Sequence, residues 1–174
     1  MSIKTLFIKL LCRGNKIDYA RKLGVKIGHN CRIISNPGWG SEPWLITIGD
    51  HVELSSGVSF VTHDGATWAF RNQERYKDVI RYGKIVINDN SFIGTQTIIL
   101  PGVTIGPNSI VGAGSLVRSD IEPNSVYAGV PARRICSLEE YAEKCLRETP
   151  NYDKEAYFAD KKAEVLKVLS LPKE

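Results

Sequence analysis

The sequence predicts an all-β solenoid, a left-handed parallel β-helix with short helices at both ends. Two observations predict it. Aliphatic residues recur every six positions over a long stretch, and Gly and Asn fall between them where corners are needed. A period of six matches neither the 3.6 of a helix nor the 2 of a flat strand. It matches a triangular prism in which each hexad is one short strand and one corner. Three hexads then close a coil, and coils stack about 4.8 Å apart through parallel ladder bonds.

The elements follow in chain order. Residues 3–13, IKTLFIKLLCR, form a short apolar run broken by lysines, expected to be an amphipathic helix that docks on the body or touches a membrane surface. Residues 15–23, NKIDYARKL, followed by Gly24, read as a second short helix with a glycine stop. Ile27 and Ile33, then Ile48, Leu54 and Phe60, stand in hexad phase. The unbroken run is Ile87, Ile93, Ile99, Ile105, Val111 and Val117, with Gly next at Gly94, Gly106 and Gly112. Four residues beyond each aliphatic stands a small or β-branched residue: Ser91, Thr97, Val103, Ser109, Ser115 and Ile121. Both the aliphatic and this fifth position are expected to point inward, with Gly and Asn at corners where positive φ is cheap.

The repeat is interrupted twice, over Ser35–Leu45 and over His63–Lys84. The second gap carries Trp68, Phe70, Arg71, Arg75, Tyr76, Arg81 and Tyr82. Phe60 to Ile87 spans 27 residues, which is not a multiple of six, so a loop must leave the prism there. A long aromatic and arginine-rich loop on a regular scaffold points to function. Past the prism, Ser137 before two glutamates opens a helix running to about Arg147, and residues 153–169 read as one further helix. These helices are expected to cover the edge of the last coil. The organisation is thus a helical segment 1–24, a β-helix 25–136 with a protruding loop 63–84, and a helical extension 137–174.

Composition bounds the function. Lys and Arg number 23 against 19 Asp and Glu, a net charge of +4 dispersed along the chain. That is too mild for a nucleic-acid partner but favours an anionic small ligand. The four cysteines, Cys12, Cys31, Cys136 and Cys145, show no metal-binding or disulfide spacing, which predicts reduced thiols and a cytoplasmic protein with no metal. No stretch reaches the roughly 18 apolar residues of a membrane span.

The strings ILPGVTIG (99–106), VGAGSLV (111–117) and YAGVPARRI (127–135) resemble the C-terminal coils of hexapeptide-repeat acyltransferases. The branch most similar comprises galactoside and maltose acetyltransferases, capsule and O-antigen O-acetyltransferases and xenobiotic acetyltransferases. The resemblance implies a homotrimer with active sites in the clefts between prisms, acetyl-CoA as donor, and direct transfer without an acyl-enzyme. The acceptor it implies first is a sugar hydroxyl of a bacterial surface glycan. An amino sugar, or an antibiotic or other small alcohol, is the alternative.

His63 is the candidate general base. Of three histidines, His29 and His51 sit in good repeat phase as corner residues, whereas His63 stands where the repeat breaks. A neutral imidazole there accepts the hydroxyl proton during attack on a thioester. A carboxylate supporting it is expected from Glu53, Glu74 or Asp78, and the oxyanion from backbone N–H groups near Gly94. Asp64, Trp68, Arg71 and Tyr76 are candidate acceptor-binding residues, Asp64 being equally readable as a solvated turn acid and the aromatics equally as loop anchors. By resemblance, Phe92, Gly94, Thr95, Gly112, Ala113, Arg118, Arg133 and Arg134 are candidates for CoA binding. Phe92 replaces a common Trp, and Arg118 stands in for a lysine usual at the next position. Two rivals use the same prism. A γ-class carbonic anhydrase needs three zinc-binding histidines, whose spacing is absent. A non-catalytic scaffold would have no use for His63 or its loop.

Overall fold

The structure, a computed structural model, describes residues 14–170; the expected helix over residues 3–13 lies outside them. It divides into two compact units, 1–138 and 139–174.

The first unit opens with α1 (Lys16–Leu23). Asn15 caps it, its side chain accepting from the amides of Ile17 and Asp18, and Gly24 ends it in a left-handed conformation. The strands then rotate through three sheets. The first sheet holds β1 (Lys26–Ile27), β3 (Ile46–Ile48), β6 (Ile85–Ile87) and β9 (Thr104–Ile105). The second holds β2 (Arg32–Ile33), β4 (Glu53–Leu54), β7 (Phe92–Ile93), β10 (Ile110–Val111), β12 (Ser125–Ala128) and β13 (Arg133–Ser137). The third holds β5 (Ser59–Phe60), β8 (Ile98–Ile99) and β11 (Leu116–Val117). Every pairing is parallel except β12 with β13. Because consecutive strands from β1 to β12 lie in different sheets and all their pairings are parallel, the chain coils around three faces, and only β13 folds back on β12.

The register shows why a six-residue period builds this shape. Ile48, Ile87 and Ile105 stack on the first face, Leu54, Ile93 and Val111 on the second, Phe60, Ile99 and Val117 on the third. All are buried. The fifth-position residues Ser91, Thr97, Val103, Ser109, Ser115 and Ile121 are buried as well. Their hydroxyls answer turn carbonyls of the coil, as Ser91 Oγ does to Gly106 O (3.2 Å) and Ser115 Oγ to Gly112 O (2.6 Å). Interior polarity therefore costs little. One edge carries Asn30, His51, Asn90, Asn108 and Asn124, each with φ near +54°. His51 Nδ1 donates to Asn90 Oδ1 (2.9 Å), and the ladder continues through Asn108 to Asn124, so His51 is a structural corner residue.

In the second unit, α2 (Leu138–Glu148) leads to α3 (Lys154–Ala159) and α4 (Lys161–Ser170). The single helix expected over 153–169 is thus two. Asp160 leaves the helical region and accepts from the amide of Ala163, starting a new helix where the pattern alone runs on. Among the described residues, no helix is long and apolar enough to cross a membrane.

Candidate functional site

Both interruptions of the repeat leave the prism at the same corner, after the third face, in successive coils. Trp39 is in hexad phase with Ile33, and its ring stacks on Phe60 at 5.3 Å. Gly38 bridges Ser59 in parallel. From Trp39 to Ile48 the chain takes nine residues, one hexad plus a small insertion holding Glu42. One coil later the insertion is far larger and begins at His63. Stacking therefore sets the two insertions one above the other. Gly40, at φ +69°, makes the approach possible, since a Cβ there would lie 2.9 Å from Phe60 O and from Thr62 Oγ1.

The result is a hydrogen-bonded triad of side chains. His63 Nδ1 donates to Glu42 Oε2 at 2.9 Å, and Thr62 Oγ1 donates to the same oxygen at 2.6 Å. Thr62 is buried and the Glu42 side chain only 15% exposed, while His63 is 42% exposed. The Thr62 hydroxyl holds the Glu42 carboxyl below the usual glutamate range; the bond and charge of His63 act in the same direction, against the opposing effect of burial. An ionised carboxylate only accepts, so in the neutral imidazole Nδ1 carries the proton and Nε2 is left as the acceptor. That is the tautomer a general base needs.

The expected partners of His63 are thereby corrected. Glu53 pairs with Arg32 (2.9 Å) on the second face, and Glu74 pairs with Lys77 within the loop. Glu42 lies 21 positions before His63. The hexad phase of Trp39 was the signal for it, because it shows that both insertions share one corner.

The long loop is anchored at its root. His63 bridges Tyr82 in antiparallel fashion, between bonds from Asp64 N to Arg81 O (2.9 Å) and Gly83 N to Thr62 O (3.0 Å). Of the candidate acceptor residues, Asp64 caps the turn Gly65–Ala69 through the Ala66 amide (3.0 Å) and pairs with Arg81 (3.2 Å). Arg71 donates through Nε and Nη2 to Val79 O, closing the loop on itself. Tyr76 packs edge-on against Phe70 and lies under the Arg75 guanidinium. Trp68 is 84% exposed.

The candidate donor residues Gly94, Thr95, Gly112 and Ala113 come together on a different edge, between the second and third faces. Gly94 is there for stacking: a Cβ would lie 2.5 Å from Ala113 N, and its own amide donates to Val111 O (2.8 Å). That amide is committed to the ladder, so an oxyanion donor near Gly94 would be a neighbouring N–H group. A Cβ at Gly114 would meet nothing within 4 Å, so this edge is open alongside exposed Thr95 and Ala113. Phe92 projects from the second face beside Glu53 and Ile110. Arg118 is an exposed corner residue. On β13, Arg133 Nη1 donates to Ala132 O (3.1 Å) and Arg134 Nε lies 3.8 Å from Glu122 Oε2. Among the described residues no group of three His, Cys, Asp or Glu is placed to hold a metal ion.

Comparison with known proteins agrees with this architecture. The profile of the family described as "Bacterial transferase hexapeptide (six repeats)" matches residues 84–119. Protein CapG of Staphylococcus aureus is 46% identical over 166 residues, covering 94% of this chain and 95% of that protein. Galactoside O-acetyltransferase of Escherichia coli is 40% identical over 125 residues, 71% of this chain but only 54% of the relative, so about half of that enzyme is matched. A solved hexapeptide-repeat containing acetyltransferase from Vibrio cholerae, complexed with acetyl coenzyme A, aligns with a TM-score of 0.60 and 26% identity over 77% of this chain and 82% of that one. This chain belongs to the hexapeptide-repeat acyltransferase family.

Proposed function

We propose that the chain is an acetyl-CoA-dependent O-acetyltransferase acting on a sugar hydroxyl, in the cytoplasmic assembly of a surface polysaccharide, with His63 as general base. The observation that carries this reading is the Glu42–His63 pair at the root of the long loop, which leaves Nε2 as the basic atom. His63 takes the hydroxyl proton as the acceptor oxygen attacks the thioester carbonyl. The carbon–sulfur bond then breaks, and His63 returns the proton to the departing sulfur, giving the O-acetyl ester and free CoA. Glu42 stabilises the transient imidazolium and fixes the tautomer.

The prism winds left-handed in this reading and three copies assemble. Family membership supports the left-handed winding, and geometry supports a neighbouring copy at the site. His63 roots at the corner after the third face, whereas Gly94, Thr95, Gly112 and Ala113 lie on the preceding edge, so one chain does not bring base and donor groove together. A neighbouring copy completes the cleft. The open edge at Gly114 suits an extended pantetheine arm, and Arg118, Arg133 and Arg134 supply charge for its phosphates.

Release of CoA, measured with a thiol reagent over a panel of sugars, tests the reading. His63→Ala is expected to lower turnover about 10²- to 10⁴-fold, the range for a positioned general base. Unchanged turnover in this variant would sink the mechanism.

A further inference from the structure

We infer that Tyr82 is the platform on which the acceptor's sugar ring rests beside His63, a specificity role for a loop residue outside the acceptor candidates Asp64, Trp68, Arg71 and Tyr76. The inference rests on the O-acetyltransferase reading and identifies the part of the site that selects the acceptor.

Four observations converge on it. The Tyr82 ring lies 5.9 Å from the His63 ring, tilted by 56°, and is the aromatic ring in contact with His63 among the described residues. It is 54% exposed, so most of its surface is open to a ligand. Its position is not left to loop motion, because the His63–Tyr82 bridge is flanked by two backbone bonds and locked by the Asp64–Arg81 ion pair. Of the other candidates, Tyr76 packs within the loop, Arg71 is spent on Val79 O and Asp64 holds the root, while Trp68 is 84% exposed and is not among the rings stacked near His63 in the described residues.

The chemistry suits a pyranose. One face of a sugar ring is largely C–H and packs on an aromatic face, while its hydroxyls project from the ring edge. Since Nδ1 is tied to Glu42, the free basic atom is Nε2. A ring seated on Tyr82 therefore presents an edge hydroxyl to a base whose distance from the platform is set by a backbone bridge. A linear alcohol or water gains nothing from such a platform.

Steady-state kinetics on the full chain test this with methyl β-D-galactoside and methyl β-D-glucoside as acceptors, and with acetyl-CoA hydrolysis as the sugar-free reaction. Tyr82→Ala is expected to raise the KM for whichever glycoside wild type uses about tenfold, the equivalent of ~1.4 kcal/mol. The KM for acetyl-CoA and the hydrolysis rate stay at wild-type values, and Tyr82→Phe, which keeps the ring, stays within about twofold of wild type. Saturation-transfer NMR with the same glycosides should show binding lost in Tyr82→Ala and kept in Tyr82→Phe. An unchanged acceptor KM in Tyr82→Ala overturns the inference. So does equal damage from Tyr82→Phe, which would assign the role to the phenol hydroxyl, or a matching loss of hydrolysis, which would make the ring a support for His63. Absence of sugar turnover in wild type refutes the proposed reaction and the platform with it, whereas turnover insensitive to Tyr82 refutes the platform alone.

Discussion

Replacing Glu42 by Gln tests the positioning of His63 directly. The exchange keeps size and one hydrogen bond but removes the charge facing the imidazolium that forms during proton transfer. Two unit charges at the observed 2.9 Å interact by ~1.4 kcal/mol in water and by ~6 kcal/mol at an effective dielectric of 20. His63 is 42% exposed and Glu42 15% exposed, which places the pair between those limits. The amide dipole retains part of the interaction, leaving an expected loss of ~2–3 kcal/mol in the transition state. That corresponds to about 30- to 150-fold in kcat, with little change in the KM for acetyl-CoA. Initial rates of CoA release measure it, and a double-mutant cycle with His63→Ala shows whether the effect passes through the imidazole. In the His63→Ala background, Glu42→Gln should cost nothing further. A Glu42→Gln enzyme with more than half of wild-type kcat, or full additivity in the cycle, would refute the reasoning.

Further predictions come from the same contacts. Thr62→Val removes the hydroxyl that holds Glu42 in its ionised form. The Glu42 carboxyl should then titrate at higher pH than in wild type, followed by carboxyl NMR, and stability should fall by about 1–2 kcal/mol in chemical denaturation, the scale of one lost buried hydrogen bond. The lowered carboxyl of Glu42 also has a sign in acid: its contribution to stability is complete above the ordinary glutamate range and is lost as pH falls through the lower folded value. Glu42→Gln should therefore flatten the wild-type loss of stability in that acid window. Gly94→Ala forces a Cβ to 2.5 Å from the Ala113 backbone nitrogen and should lower the thermal midpoint by roughly 3–10 °C through ~1–3 kcal/mol of overpacking. Gly114→Ala, at φ +68° but in open space, should cost less; an equal or larger drop would refute the stacking argument.

Much of this was legible in the linear chain because the prism is a local object. A side chain six residues on occupies the same position of the next face, so Ile87 to Val117 announce the coil, and the fifth-position residues announce the narrow interior. His63 stood out for the same reason, as the point where a regular pattern fails. The acceptor residues were harder to read. Arg71 and Asp64 are types that bind sugars, but each found its partner inside the loop, and loop closure leaves no periodic trace. The break at Asp160 was hidden because the apolar pattern continues across it.

By itself the sequence determined the period, the three-faced coil, the corner residues and the place where a loop leaves, since each depends on spacing that repeats along the chain. Only the tertiary structure decided that Glu42, rather than Glu53, Glu74 or Asp78, orients His63, and that Tyr82 is the ring beside it. Both contacts join aperiodic insertions, one through the stacking of successive coils and the other through a bridge at the loop's root. Such contacts depend on where the coil returns the chain in space, and insertion length carries no imprint of that.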